Sequence, residues 1–458
     1  MSTPHDHDSD EEMFQAQLDM YDDQLANITA CAMAAYRRHT QRSERRPIHG
    51  GTSQPRRYIP RDRQLGHGLI MSNYFDPGAR YTEEMFRRRY RMKKSLFLKM
   101  MQDVCNKDVY FQQRQDATGR WGCTPEQKLT SVMRMLSAGY SADAPDEGFQ
   151  IAQTTVLESF KKFIRVIPEV YGAEYLRTPT VADLQRLLRK AKKRGFPGML
   201  GSLDCMHWEW KNCPVGQQGA YQGHYHTPTV ILEAVAGYDT WIWHANFGFP
   251  GSNNDINVLD GSHLFDDEEQ MRNHQIKYKV NGNDYTMGYY LVDRIYPKWA
   301  TLIQTITNPV GEASQLFARY QESYRKDVER AFGILRARWE ILKKPARGWK
   351  ANDLGYIMKT CIILHNMIIE DERPENEDDE SDDDIDHVQE RISRAVARYD
   401  TEPYDGGQSY QPILLEQRLS RVRLIRSTTL HRQLKNDLVQ HLWTREGSRG
   451  QARRRRRR

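Results

Sequence analysis

The chain has 458 residues, enough for two or three domains and a sizeable core. Charged residues make up 28% of it and the mean hydropathy is −0.80, so part of the chain is expected to be non-globular or strongly solvated. Six cysteines fall in no CxxC pair and the N-terminal stretch is acidic and polar, unlike a signal or transit peptide, which points to reduced thiols in a cytosolic or nuclear compartment. No apolar run approaches the length needed to span a bilayer, so no membrane partner is expected.

The net charge of +6 is unevenly spread. Arg37 to Lys94 is rich in arginine, Glu370 to Asp386 is almost wholly acidic, and Arg453 to Arg458 is an unbroken basic run. Such blocks are usually solvated tails and linkers; the sharper reading is a basic arm for nucleic acid and a nuclear address. Residues 1–75 are therefore expected to form a disordered charged tail, 370–400 an acidic linker, and 401–458 a C-terminal region with a basic tail.

From residue 76 to 197 the pattern is helical. Met85 to Val104 reads as one basic amphipathic helix, with Arg87, Arg88 and Arg89 crowding its first half and Leu96, Leu98, Met101 and Val104 as its apolar positions. Thr124-Pro125-Glu126-Gln127 has the form of a capping box with proline at the first helical position. A short segment from Pro145 to Ala152 follows. Thr155-Val156-Leu157-Glu158 then offers a second box, ahead of Phe160, Phe163, Ile164 and Ile167. Short helix, tight turn and longer helix are compatible with a helix-turn-helix that would meet DNA near Gln153, Thr154 and Lys161, and equally with a small helical bundle. Val181 to Arg194 is a further basic helix, stopped by Gly195.

Residues 198–369 change character. Met199 to Leu203 is an apolar run ending on Asp204. Thr229–Tyr238 and Trp241–Phe247 read as a β-hairpin. Asp255 stands where a short helix with Val258 and Leu259 could begin. Tyr289 to Val292 ends on Asp293, Thr301 to Ile306 is another strand, and Leu316 to Lys343 and Leu354 to Ile369 are helices. Three consecutive strands followed by a crossover to a fourth describe an α/β, RNase H-like sheet. There, acids closing the first and fourth strands lie side by side, and a helical Glu, Glu329, comes over them.

Mg²⁺ and Mn²⁺ take oxygen ligands, and two such ions roughly 3.5–4 Å apart hold the attacking and leaving oxygens of an in-line phosphoryl displacement. Asp204 suits the bridging position, with Asp293 and Glu329 flanking it and Asp255 as a fourth acid or a helix cap. Lys211, Arg330 and Arg336 lie near these acids in sequence and could hold DNA phosphates or merely face solvent. Cys205, His207, Cys213, His224 and His226 fit no standard zinc spacing. Trp208, Trp210, Trp241 and Trp243 are most simply core. No Gly-rich nucleotide loop is present.

Taken together, Gly201-Ser202-Leu203-Asp204-Cys205-Met206-His207-Trp208 with Trp210-Lys211-Asn212-Cys213-Pro214, Ile231-Leu232-Glu233-Ala234-Val235-Ala236, Trp241-Ile242-Trp243-His244-Ala245, Pro250-Gly251-Ser252-Asn253-Asn254-Asp255, Tyr290-Leu291-Val292-Asp293, Asp327-Val328-Glu329-Arg330-Ala331-Phe332-Gly333 and Leu364-His365-Asn366-Met367 resemble the blocks of PIF/Harbinger transposases. The resemblance covers roughly Arg87 to Ile369, with a weaker echo near Leu434 to Trp443. It implies a DDE nuclease domain over 198–369 whose acids fall on Asp204, Glu329 and one of Asp255 or Asp293. It further implies cleavage and joining of DNA at terminal inverted repeats with Mg²⁺ or Mn²⁺, a separate Myb-like accessory protein, and the nucleus as the site of action. A homo-oligomer is left open. Two positions depart from the family pattern. Arg294 follows Asp293 where similar proteins have glycine, and Gln217-Gln218 replaces a Trp-Lys-like pair. A domesticated descendant, acting as a nuclear DNA-binding or chromatin-associated protein without catalysis, is the alternative; a simpler nuclease on the same fold is a third.

Overall fold

The computed structural model describes residues 59–223, 226–266, 276–373 and 415–456, and the elements below belong to the unit Arg61–Arg458. The first is a helix inside what the charge pattern marked as tail. Helix α1 (Arg63–Ile70) starts on Asp62, whose side chain accepts from the Leu65 N–H, and runs into a π-helical turn, Met71–Phe75. Ile70 and Tyr74 are buried, so only residues 1–58 of the expected tail fall outside the described residues. High local charge hid an element that needs only two apolar anchors.

The single helix expected over Met85–Val104 is two: α2 (Glu83–Tyr90) and α3 (Lys94–Lys107). Arg91 takes a left-handed conformation, φ +65°, which ends α2 and turns the chain. The change of phase moves the buried positions of α3 to Phe97, Met100 and Val104, leaving Leu98 exposed. Helix α4 (Pro125–Ala138) has the capping box of Thr124 and Gln127 as read from sequence. After a short α5 (Pro145–Phe149), α6 (Gln153–Tyr175) begins two residues ahead of the second box, which is not used. It buries Val156, Phe160, Phe163, Ile164 and Ile167 as expected. Helix α7 (Val181–Arg194) opens with a capping box of Thr180 and Asp183 that the sequence reading missed, and closes on Gly195 at φ +91°.

The strands are β1 (Met199–Glu209), β2 (Thr229–Ala236), β3 (Ile242–Pro250), the hairpin β4 (Tyr278–Val280) and β5 (Asn283–Tyr285), β6 (Tyr289–Val292) and β7 (Leu302–Gln304). One mixed sheet has the order β3-β2-β1-β6-β7: β1, β2 and β3 are antiparallel neighbours, while β6 and β7 run parallel to β1. Between β3 and β6 lie α8 (Asp255–Asp260) and the separate β4–β5 hairpin. Helices α9 (Glu312–Arg338) and α10 (Ala351–Asp371) follow. Two glycines of the first block have physical reasons. Gly198 has φ +87° and lies against the Tyr278 ring, and a Cβ on Gly201 would come 2.6 Å from the Ala236 carbonyl oxygen.

Residues before and after position 197 share one core. Phe97, Leu129 and Phe163 belong to the same cluster as Trp208, Trp241, Phe332 and Leu364. The four tryptophans expected in the core are buried there. The C-terminal region also joins the sheet. After the undescribed 374–414, which holds most of the expected acidic linker, come α11 (Leu415–Ile425) and α12 (Thr428–Arg456). Leu434, Leu438 and Leu442 pack with Met199, Tyr289 and Phe317. Asp437 accepts from Asn283 (2.7 Å) and Tyr285, fastening α12 to the hairpin. The side chains of Arg453–Arg458 lie outside the described residues.

Candidate active site

Asp204 does not close its strand. Strand β1 continues to Glu209, and what ends near Asp204 is its pairing with β6, whose last register is Ser202 with Leu291. Asp293 follows directly on β6. Carried forward, that register sets Asp204 beside Asp293, on neighbouring parallel strands and on one face of the sheet. This face is the one under α9. The Ser202 hydroxyl donates to the Tyr324 carbonyl at 2.9 Å, and Leu291 packs with Phe317.

Helix α9 brings Glu329 to the same place through a side chain that the sequence reading did not single out. Gln321 is fully buried, and its amide donates 3.0 Å bonds to the carbonyls of Val292 and Ile303, one in β6 and one in β7. Those bonds fix the helix over the strand ends. Arg325 and Glu329 follow at intervals of four, on the same helical face. The Arg325 guanidinium stands 2.7 Å from Glu329, 3.2 Å from Asp293 and 3.8 Å from Asp204. Its side chain is 13% exposed and that of Asp204 18%, whereas Glu329 and Asp293 are 43% and 50% exposed. The site is thus a floor with an open rim. The available sequence signal for Arg325 was its four-residue spacing from Glu329.

Burial pushes the Asp204 carboxyl up to about 6, assisted by the nearby Asp255 and Asp293 charges and opposed by the Cys205 N–H (2.9 Å) and by Arg325. Burial raises Asp255 too, against a hydrogen bond from Cys205. Cys205 projects from β1 on the side opposite Asp204, so Asp255 approaches the strand from the other face. It is the first residue of α8, while the cap itself is made by Asn254, which accepts from Asn257 at 2.8 Å. A carboxyl raised by burial among like charges is typical of functional clefts.

Four carboxylates are the donors that Mg²⁺ and Mn²⁺ prefer, so the set fits a hard divalent cation in kind. As arranged here, three of them converge on Arg325, and no group of three His, Cys, Asp or Glu side chains among the described residues forms a ready metal cage. Of the zinc candidates, Cys205 lies 3.7 Å from the Tyr296 hydroxyl, His207 lies 2.9 Å from that of Thr229, and His226 is exposed. Cys213 is buried, and His224 is outside the described residues. Arg294 carries no left-handed strain, since the positive-φ residues among those described that are not glycine are Arg91, Gln150, His226, Thr240, Asn281 and Asn308.

The basic candidates scatter. Arg87 is ion-paired with Glu372 at 2.7 Å, and Arg89 lies over the Tyr81 ring while donating to the Tyr74 hydroxyl. Arg330 pairs with the buried Asp327, which also holds Arg194. Arg88, Lys161, Lys211 and Arg336 are exposed.

The blocks distant from the acids hold the sheet in place. His365 donates to the Thr240 carbonyl through Nε2 and accepts from Arg338 through Nδ1, which fixes one neutral tautomer. Asn366 accepts from the Ile242 N–H and donates to the carbonyls of Ile242 and Tyr175. No helix among the described residues is long and apolar enough to cross a membrane.

Residues 173–376, which carry this sheet and the helix above it, match the family described as plant transposon protein. A domain of unknown function, DUF8418, matches residues 66–105. Two curated relatives from Arabidopsis thaliana are similar. Protein Antagonist of Like Heterochromatin Protein 1 is 24% identical over 255 residues, 54% of this chain and 62% of the relative. Protein ALP1-like is 24% identical over 248 residues, 53% and 60% respectively. These matches support a Harbinger-type, transposase-derived origin for this part of the chain. Its matches span about three fifths of the length of these relatives. No solved structure matches it.

Proposed function

We propose that this chain is a divalent-metal-dependent DNA endonuclease of the transposase kind, built on an RNase H-like sheet, that cleaves and joins phosphodiesters at terminal inverted repeats. The observation that carries the reading is the convergence of Asp204, Asp293 and Glu329, from two parallel strands and the helix above them, on one guanidinium. Three acids sharing one cation leave an excess of negative charge at a half-open rim, which suits Mg²⁺ or Mn²⁺. Bound there, such ions supply an activated water and charge stabilisation for in-line displacement. Asp204 would bridge the ions from the buried floor; Asp293 and Glu329, nearer solvent, would hold one each. Gln321 keeps Glu329 in register with the strand ends. Exposed Arg88, Lys161 and Lys211 are candidates for DNA phosphate contacts, and the Myb-like partner and nuclear location implied by the resemblance belong to the same reading.

A second reading, suggested by the name of the relative Antagonist of Like Heterochromatin Protein 1, is a chromatin-associated descendant that binds DNA or protein without cutting. One experiment separates the two. Full-length protein with Mn²⁺ and DNA carrying the element's terminal repeats is expected to cleave. Asp204→Asn and Glu329→Gln should abolish the cut while leaving DNA binding nearly intact. Wild-type cleavage that survives either substitution removes the assignment of the acids; binding without cleavage by the wild type supports the second reading.

A further inference from the structure

The guanidinium of Arg325 stands among the three carboxylates that would hold a metal ion. It touches all three acids, and its side chain is the least exposed of the four. Asp204 has one other partner for its carboxylate, the Cys205 N–H. The helix that carries Arg325 is anchored by Gln321 to the carbonyls of Val292 and Ile303. The long side chain can leave without it, because Asp293 and Glu329 form a rim open to solvent. An anchored helix carrying a long cationic side chain to an open rim has the construction of a plug.

We propose that Arg325 and a divalent cation are alternative occupants of the Asp204–Asp293–Glu329 cluster, with the guanidinium neutralising the acids until the ion displaces it. The inference rests on the metal-dependent reading above and adds a competitor to it. Carboxylates this close repel one another, and the metal-free protein needs a positive charge among them to keep the strand ends and α9 together. Arginine suits that task because its planar fork can serve several carboxylates at once, whereas lysine offers a single ammonium. Holding the acids in place has a cost for metal binding, since an incoming ion must first break those ion pairs.

The test is calorimetric titration of MnCl₂ into full-length wild type, Arg325→Gln and Arg325→Lys, together with thermal melts in EDTA and in saturating Mn²⁺. Arg325→Gln should bind Mn²⁺ roughly tenfold more tightly than wild type, the factor expected when a competing ion pair is removed. Its melting temperature should fall below that of wild type in EDTA, and Mn²⁺ should close the gap. Arg325→Lys should be intermediate in both measurements, and it keeps the question answerable if the glutamine variant folds poorly. Equal or weaker Mn²⁺ binding by both variants, with wild type binding normally, overturns the competition and leaves the metal-dependent reading standing. Absence of Mn²⁺ binding in folded wild type and variants alike overturns both.

Discussion

Arg325 and Glu329, one turn apart on α9, are ion-paired at 2.7 Å, and the same guanidinium reaches across to Asp293 on the sheet. Helix and strand end are thereby joined through charge at the point where chemistry is proposed. Asp255 makes no such pair; it lies against Cys205 on the opposite face of β1. Under the proposed function, Asp293 is therefore the candidate second acid. Asp293→Asn should lower Mn²⁺-dependent cleavage at least about 100-fold, as loss of a major electrostatic contributor does, and Asp255→Asn should lower it much less. Single-turnover cleavage rates of the two variants decide the matter, and a larger loss in Asp255→Asn reverses the assignment.

Burial of Asp204 has a stability consequence with a definite sign. Its carboxyl titrates near 6 in the folded chain against 3.8 ordinarily, so the folded state holds the proton more tightly than the unfolded one. Stability from this group is therefore complete below the ordinary value and is lost as pH rises through about 6. Asp204→Asn, neutral throughout, should make the metal-free protein more stable than wild type at pH 8, by on the order of 1–3 kcal/mol. The gain should shrink toward zero as pH is lowered below the ordinary carboxylate range. Urea midpoints measured in EDTA across that range check the sign.

Asn366 uses its whole side-chain amide in the core, tying α10 to the start of β3 and to the end of α6. Truncation strands the Ile242 N–H and two carbonyls away from water. Asn366→Ala should cost about 2–4 kcal/mol in unfolding free energy, and Asn366→Asp should fare no better, because a carboxylate cannot donate to the two carbonyls. Denaturant unfolding gives the value directly.

Helix α12 completes the packing around β6 and β7. A chain ended after Arg373 lacks Leu434, Leu438 and Leu442 and uncovers Phe196, Tyr289 and Phe317. Such a chain should be less soluble and should bind a hydrophobic dye that the full chain excludes. Adding residues 415–456 as a separate peptide should partly reverse both effects. A truncated chain that is monomeric, soluble and dye-silent would show that α12 is dispensable.

Much of the sheet was legible because strand propensity and turn chemistry agree there. The Tyr238-Asp239-Thr240 turn, the hairpin it closes and the apolar stripe of α9 follow from local residues, and the structure has them. What escaped was set by tertiary contacts. Arg91 breaks a stretch that looks helical throughout, in a left-handed conformation that favours glycine over arginine. Helix α1 and helix α12 are charged sequences made stable by what they pack against. At the site, the acids stood out because each ends or flanks a recognisable run. Gln321 and Arg325 look like ordinary polar residues of an exposed helix, and only the position of the strand ends beneath them shows their use.

The fastening of α12 to the β4–β5 hairpin also bears on the order of events during synthesis. Leu434 must meet Met199, a contact between distant parts of the chain, before this cluster is complete. At synthesis rates of about 5–20 residues per second, the interval between making these two residues is on the order of 10–50 s. Through that interval Met199 and Tyr289 lack the leucines of α12 that complete their packing. A growing chain of this kind is expected to leave that apolar edge open until residues 434–442 have arrived. Closure of the core around β1 and β6 thus waits for the last described helix of the chain.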